Sequence, residues 1–174
     1  MGAQELRTER LRLTPPVPND AAGVFAILGD ARTVEHNPSD RLADETAATA
    51  LVDRWVHHWA EHGFGYRCVR EHGSDRIIGY AGVKRMTMDG RPVLNLVYRF
   101  VPDVWGRGLA TEAAAALVAS ALEEKPGQTV VARVRPDNRP SQHVALKAGL
   151  RRDVALDCEG EDGLDWVFTS SDEE

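Results

Sequence analysis

Cysteine is scarce in this chain: Cys68 and Cys158 are the only two among 174 residues. Both fall in stretches that read as strands, so a disulfide framework is not what organises the fold. Aromatic residues are also few, at 6%, and long apolar runs are missing. No stretch approaches the ~20 residues needed to cross a bilayer, and the N-terminus has no apolar signal-peptide core. The reading is a cytoplasmic protein with no membrane partner. Positive charge is outweighed, since 21 Lys and Arg against 27 Asp and Glu leave a net charge of −6. That balance argues against a broad nucleic-acid-binding face. With 43% hydrophobic residues, no internal repeat and no linker, residues 1–174 are expected to form one domain with a sizeable core.

The elements can be taken in order. Leu11-Arg12-Leu13 alternates like a short strand, and Pro15, Pro16 and Pro18 stop it. Asn19 or Asp20 can cap a helix through about Leu28. After an irregular polar segment, Asp44 or Thr46 caps a second helix to about His62, with Leu51, Val52, Trp55, Val56 and Trp59 as its apolar stripe. His58 and His62 are one turn apart on it, but no third ligand is identifiable, so no metal site is expected and they read as solvated residues. Strands are expected over Tyr66–Arg70, Arg76–Lys84 and Thr129–Val134. Arg151–Cys158 and Leu164–Thr169 read as a closing hairpin. Asn138-Arg139-Pro140-Ser141 opens a short helix with Pro140 in its permitted first turn, and Gly149 ends it.

The centre of the chain is LNLVYRFVPDVWGRGLATEAAAALVASAL, Leu94 to Leu122. Val97, Tyr98, Phe100 and Val101 give it strand composition, and Pro102-Asp103 ends the strand. Trp105-Gly106-Arg107-Gly108 then opens an alanine- and leucine-rich helix from Leu109 to Leu122. The first N–H groups of a helix lack intrahelical partners and sit at the positive end of its dipole. Glycines there allow positive φ and close approach to bare backbone. Strand, glycine turn and helix together suit an anion such as a pyrophosphate; an ordinary strand–helix corner has the same local pattern.

Trp105-Gly106-Arg107-Gly108-Leu109-Ala110-Thr111-Glu112-Ala113 resembles the acyl-CoA pyrophosphate loop of the GNAT acetyltransferases, in the branch of the ribosomal-protein N-terminal acetyltransferases. Thr8-Glu9-Arg10-Leu11-Arg12-Leu13, Ile78-Gly79-Tyr80-Ala81-Gly82, and Asn138-Arg139-Pro140-Ser141 followed by Lys147-Ala148-Gly149-Leu150 agree with it in order and spacing. The resemblance implies an α+β, three-layer fold: a mostly antiparallel sheet of 6–7 strands, about four flanking helices, and a splay beside the central strand. It implies acetyl-CoA as cosubstrate, with the backbone of Trp105, Gly106, Arg107, Gly108, Leu109, Ala110 and Thr111 around the pyrophosphate. Pantetheine is then expected along Phe100 and Val101, with Asn138 and Ser141 on the far side. For Asn138 and Ser141 plain helix capping is the competing reading. The family's usual Gln or Arg at the head of the loop is Trp105 here.

Direct attack by an amine needs a neutral amine, a polarised carbonyl and a proton for the departing thiolate. Where many relatives carry a base glutamate this chain has Asn95, and where many carry an acid tyrosine it has Ala145. Ser141 is the candidate acid and Tyr98 a weaker one, more simply read as a packing residue. Glu112 in the helix's first turn suits the dipole. Without a strong base, an α-amine with pKa near ~8 is a better acceptor than a lysine near ~10.4. The acceptor is therefore expected to be a peptide N-terminus or a small amine. Glu35-His36-Asn37-Pro38 and the helix bearing Trp55 and Trp59 are expected to frame its pocket. A non-catalytic acyl-CoA-binding regulatory domain, a larger acyl group such as succinyl, and a homodimer are compatible with the same residues. A dinucleotide-binding domain is disfavoured, because Thr111 stands where its third glycine would be.

Overall fold

The computed structural model describes residues 4–171. In chain order the elements are β1 (Leu6–Arg7), β2 (Leu11–Thr14), α1 (Ala21–Leu28), α2 (Glu45–His62), β3 (Tyr66–Glu71), β4 (Gly79–Met88), β5 (Arg91–Phe100), α3 (Leu109–Glu124), β6 (Val130–Val134), α4 (Arg139–Lys147), β7 (Arg151–Arg152), β8 (Cys158–Gly160) and β9 (Gly163–Thr169). The sheet runs β1-β2-β3-β4-β5-β6-β9-β7, with β8 also on β9. Every pairing is antiparallel except β5 with β6. This is the mixed, mostly antiparallel architecture with four α-helices that the resemblance implies. Its strand number reaches nine because β1, β7 and β8, of two or three residues each, join a six-stranded centre.

The hairpin of β4 and β5 is the backbone of the sheet. Asp89 and Gly90 take φ of 49° and 74°, the paired positive values of a tight two-residue hairpin turn whose twist matches the strands it joins. The register then runs unbroken from Met88↔Arg91 to Gly79↔Phe100. Pro92 lies inside β5. Leu94 N–H points toward β6, donating to Thr129 O. By alternation Pro92 presents its missing N–H to that same side, where pairing has not yet begun.

Three expected boundaries move for local reasons. β4 starts at Gly79 rather than Arg76, whose guanidinium is bound through both terminal nitrogens to Asp103, 2.8 Å each. Asp20 occupies the cap position of α1 but does not cap it; its carboxylate accepts from Val17 N–H at 2.9 Å and Arg70 Nη2 at 2.7 Å. Arg151–Cys158 is not one strand. Asp157 takes both nitrogens of Arg152 at 2.6 Å and Val167 N–H at 3.0 Å, which bends the chain between β7 and β8. By contrast α2 starts where expected, with Asp44 Oδ1 accepting from Ala47 N–H at 2.8 Å. Buried Val52, Trp55 and Trp59 form its inner stripe.

The helices divide between the two faces. Trp55 of α2 packs against Tyr66 and Tyr80, ring centroids 5.4 and 4.9 Å away, so α2 covers the face of β3 and β4 from which those tyrosines project. On the opposite face Leu117 and Ala121 of α3 line one cleft with Val83 of β4. The decisive feature is between β5 and β6. Their ladder holds only at Leu94↔Val130 and Asn95↔Val131. From Val131 to Val134, β6 stays paired with β9 and leaves β5 behind. Past Asn95 the sheet is split, and the inward edge of Tyr98 and Phe100 faces the gap.

Candidate active site

Pro102 and the turn after it bring the chain from the split strand to α3. Gly106 and Gly108 have φ of 78° and 76°, which L side chains seldom adopt. Space is not what demands glycine there. A β-carbon at Gly106 would meet nothing within 4 Å, and one at Gly108 only Arg10 Nη2 at 3.6 Å. The surface over the turn is therefore open to a ligand. Gly108 caps α3 without a side chain, and the first helical bond is Glu112 N–H to Gly108 O at 3.0 Å. Leu109, Ala110 and Thr111 consequently offer N–H groups without intrahelical partners at the positive helix end. An anion fits this cradle.

The loop is anchored by groups whose partnership the sequence alone did not reveal. Glu112 accepts from Thr8 Oγ1 at 2.5 Å, Arg10 N–H at 2.7 Å and Arg10 Nε at 2.6 Å. Arg10 Nη1 also donates to Arg107 O at 2.8 Å, and Arg107 Nη2 to Glu71 Oε1 at 2.5 Å. Burial pushes the Glu112 carboxyl up, but the hydrogen bonds from Thr8 and Arg10 together hold it below its ordinary value. Glu112 is thus the clasp between the β1–β2 turn and the glycine turn. The recurrence of Thr8 and Arg10 in the resemblance was the available signal.

Along the gap, Trp105 lies half exposed with its Nε1 donating to Phe100 O at 2.9 Å. Val101 is buried and its N–H is committed to Ile78 O at 2.8 Å, so of these two residues Phe100 is the one whose edge faces the split. Across the gap, Asn138 Oδ1 caps α4 by accepting from Ser141 N–H at 3.3 Å. Ser141 Oγ donates to Tyr98 Oη at 3.0 Å, and Tyr98 Oη donates to Ser141 O at 2.7 Å. Tyr98 is therefore more than packing: it bridges β5 to α4 where the strands part. Burial pushes its phenol up to about 12, against a smaller opposing effect of the Ser141 hydrogen bond. Both hydroxyls stay protonated at neutral pH.

Asn95 lies on the other face of β5. It is buried, and its Oδ1 has no hydrogen-bond partner. Its cross-strand neighbour is Lys84, whose Nζ sits 4.4 Å over the Tyr66 ring. Burial and nearby Arg54 hold that ammonium below its usual pKa. The segment between α1 and α2 is tied to other elements at three points. His36 Nδ1 lies 3.4 Å from Asp137 Oδ1, Ser39 Oγ donates to Asp162 Oδ2 at 2.6 Å, and Asp40 Oδ2 accepts from Arg99 Nη2 at 2.9 Å. Trp55 and Trp59 are buried beneath. The His58 and His62 ring centroids lie 4.5 Å apart with the ring planes tilted by 50°. His58 is partly buried rather than solvated, because its Nδ1 lies 2.8 Å from Phe64 O. Among the described residues no cluster of three or more metal-ligating side chains occurs.

A split parallel pair beside a glycine turn that opens a helix is the arrangement of a known family, and the Acetyltransferase (GNAT) domain model matches residues 10–151. The chain belongs to the GNAT acetyltransferases. It is 25% identical over 146 residues to the uncharacterized protein YkkB of Bacillus subtilis (strain 168), covering 84% of each chain. An acetyltransferase structure from Agrobacterium tumefaciens str. C58 is similar at TM-score 0.80 and 25% identity, covering 97% of this chain and 95% of that one. RimL, a ribosomal L7/L12 alpha-N-protein acetyltransferase solved with coenzyme A, shares the fold at TM-score 0.76 and 12% identity, over 95% of this chain and 97% of the other. At the two positions where the resemblance expects a base and an acid, this chain departs from the family's pattern. The strand position of Asn95 offers no carboxylate, and α4 has Ala145, buried at 0% exposure. The proton-bearing groups at the split are Tyr98 and Ser141. No helix among the described residues is long and apolar enough to cross a membrane.

Proposed function

We propose that this GNAT protein transfers an acetyl group from acetyl-CoA to a primary amine, either a small amine or a peptide N-terminus. The observation that carries the reading is the split of β5 from β6 next to the open, glycine-lined N-terminus of α3. The N–H groups of Leu109, Ala110 and Thr111, with the backbone of the turn from Trp105 to Gly108, would hold the pyrophosphate. The free edge of β5 at Tyr98 and Phe100 would hold the amide-rich arm, with Asn138 and Ser141 opposite.

Acetyl-CoA supplies the activated acyl group, and the protein positions it. The C–N bond forms as the C–S bond breaks, and the departing sulfur needs a proton. Ser141 Oγ and Tyr98 Oη are the hydroxyls placed to give it, in one hydrogen-bonded pair. The attacking nitrogen sheds one proton as the amide forms, which balances the proton given to sulfur and returns the hydroxyl pair to its starting state. The amine must arrive neutral. Asn95 can orient it through the unpartnered Oδ1 but cannot take a proton. An amine of low pKa is therefore the preferred acceptor. Amine-dependent release of CoA thiol, with the mass of the acetylated product, tests the reading.

A further inference from the structure

Arg99 directly follows Tyr98 on β5 and points to the opposite face, toward α2 and the segment joining α1 to α2. Its side chain is 14% exposed; Nη2 donates to Asp40 Oδ2 at 2.9 Å, the Tyr80 phenol lies against the guanidinium as a further polar neighbour, and Nη1 is buried without a hydrogen-bond partner. Its cross-strand neighbour Tyr80 is 5% exposed. Burial raises the Tyr80 phenol to about 12, and the Arg99 charge works against that rise. Asp40 itself is about half exposed.

A guanidinium is built to bind a carboxylate through two parallel N–H bonds. Here a largely buried one binds a single carboxylate oxygen, from the half-exposed Asp40, and leaves its Nη1 without a partner, which is costly unless something else satisfies it. Two positions along the same strand face, Asn95 Oδ1 is the matching orphan acceptor. An orphan donor for an anion and an orphan acceptor for an ammonium or amine thus sit on one face of β5, beside the split. The Asp40 tie brings the segment between α1 and α2 onto that face.

We propose that the acceptor is a small amine that also carries a carboxylate, bound through Arg99, with Asp40 holding the place of that carboxylate in the free enzyme. The proposal rests on the acetyl-transfer reading above and names its substrate class; pairing with the guanidinium offsets the carboxylate charge that otherwise raises the amine's pKa. Arg99 is then the residue that sets specificity. It takes the carboxylate, and Asp40 competes with the ligand for the same guanidinium.

The test compares L-amino acids with their primary amides in steady-state CoA release, with rates expressed per free-base amine. The wild type is expected to favour the acids by at least tenfold in kcat/KM. Arg99→Gln should erase that preference by lowering the rate with acids and sparing amides, and Arg99→Lys should restore part of it. Asp40→Asn, an exposed change, should lower KM for acids and leave amides alone. Equal rates for acid and amide in the wild type, or an equal loss on both in Arg99→Gln, would overturn the proposal and make Arg99 an anchor for the loop. Acetylation of peptide N-termini but of no free amino acid would overturn it too, with acetyl transfer intact. Calorimetry with acetyl-CoA alone separates the layers: no binding there defeats the acetyl-transfer reading itself.

Discussion

Tyr98 and Ser141 hold each other across the split in the sheet, with Ser141 Oγ donating to Tyr98 Oη at 3.0 Å and Tyr98 Oη to the Ser141 carbonyl at 2.7 Å. The pair joins the free edge of β5 to the first turn of α4. Two hydroxyls in one bonded unit are expected to act as a unit. Ser141→Ala and Tyr98→Phe should each lower kcat by roughly a hundred- to a thousandfold, the lower part of what a placed proton donor supplies. Acetyl-CoA affinity should change far less. The double variant should be scarcely slower than the worse single one, because the second change removes a partner already lost. Additive losses in single-turnover rates would mean that the hydroxyls act separately; equal losses in affinity and rate would mean that they only bind.

Glu112 makes a separate, structural prediction. Its hydrogen bonds from Thr8 and Arg10 outweigh burial and lower its pKa in the folded chain. The unfolded chain then binds the proton more tightly, so this contribution is complete above about pH 4.5 and fades as pH falls below it. Glu112→Gln should cost about 1.5–3 kcal/mol at pH 7, the range for hydrogen bonds to a charged group. The gap to wild type should narrow in urea titrations carried out near pH 3. A gap that stays constant with pH would remove the carboxylate from the account.

The glycine turn predicts a binding defect without a folding defect. Asp tolerates positive φ better than most residues, and a β-carbon at position 108 meets only Arg10 Nη2 at 3.6 Å. Gly108→Asp should therefore fold while placing a carboxylate over the anion cradle. Acetyl-CoA affinity should fall at least tenfold, about 1.4 kcal/mol. Unchanged affinity by calorimetry would take the turn out of the site.

Much of this was written in the sequence, and the physics says which parts. The strand–turn–helix around Gly108 was legible because positive φ and an uncapped helix start leave a local signature in glycine and proline. Asp44 and Asn138 were readable as caps for the same local reason. Asp20 was not, because Arg70, 50 residues away, claims its carboxylate. The clasp of Thr8 and Arg10 on Glu112 spans more than a hundred positions and no local pattern encodes it. Tyr98 looked like packing because its partner lies 43 residues on. Arg99 and Asp40 were invisible as a pair for the same reason: strand alternation gives a face, but only the fold says what lies over it.

The absent carboxylate at Asn95 sets the pH dependence. With no strong base, the rate follows the substrate's own neutral fraction. For a peptide α-amine, log kcat/KM should rise with unit slope and level off near about pH 8, and for a lysine-type amine it should still be rising at about pH 9. Tyr98 does not enter this limb, since burial keeps its phenol protonated up to about 12. One common inflection between about pH 6 and 7 for both amines would reveal an enzyme base, and half-buried Lys84 beside Asn95 would be the first group to replace.

The central claim, acetyl transfer at the split between β5 and β6, is tested most directly by one assay. The protein is mixed with acetyl-CoA and a panel of primary amines, free thiol is followed, and products are weighed by mass spectrometry. The account predicts amine-dependent thiol release, one acetylated amine per thiol, and loss of both signals in Gly108→Asp. Tight acetyl-CoA binding with no amine-dependent thiol release across the panel would contradict it and leave an acyl-CoA-binding domain without turnover.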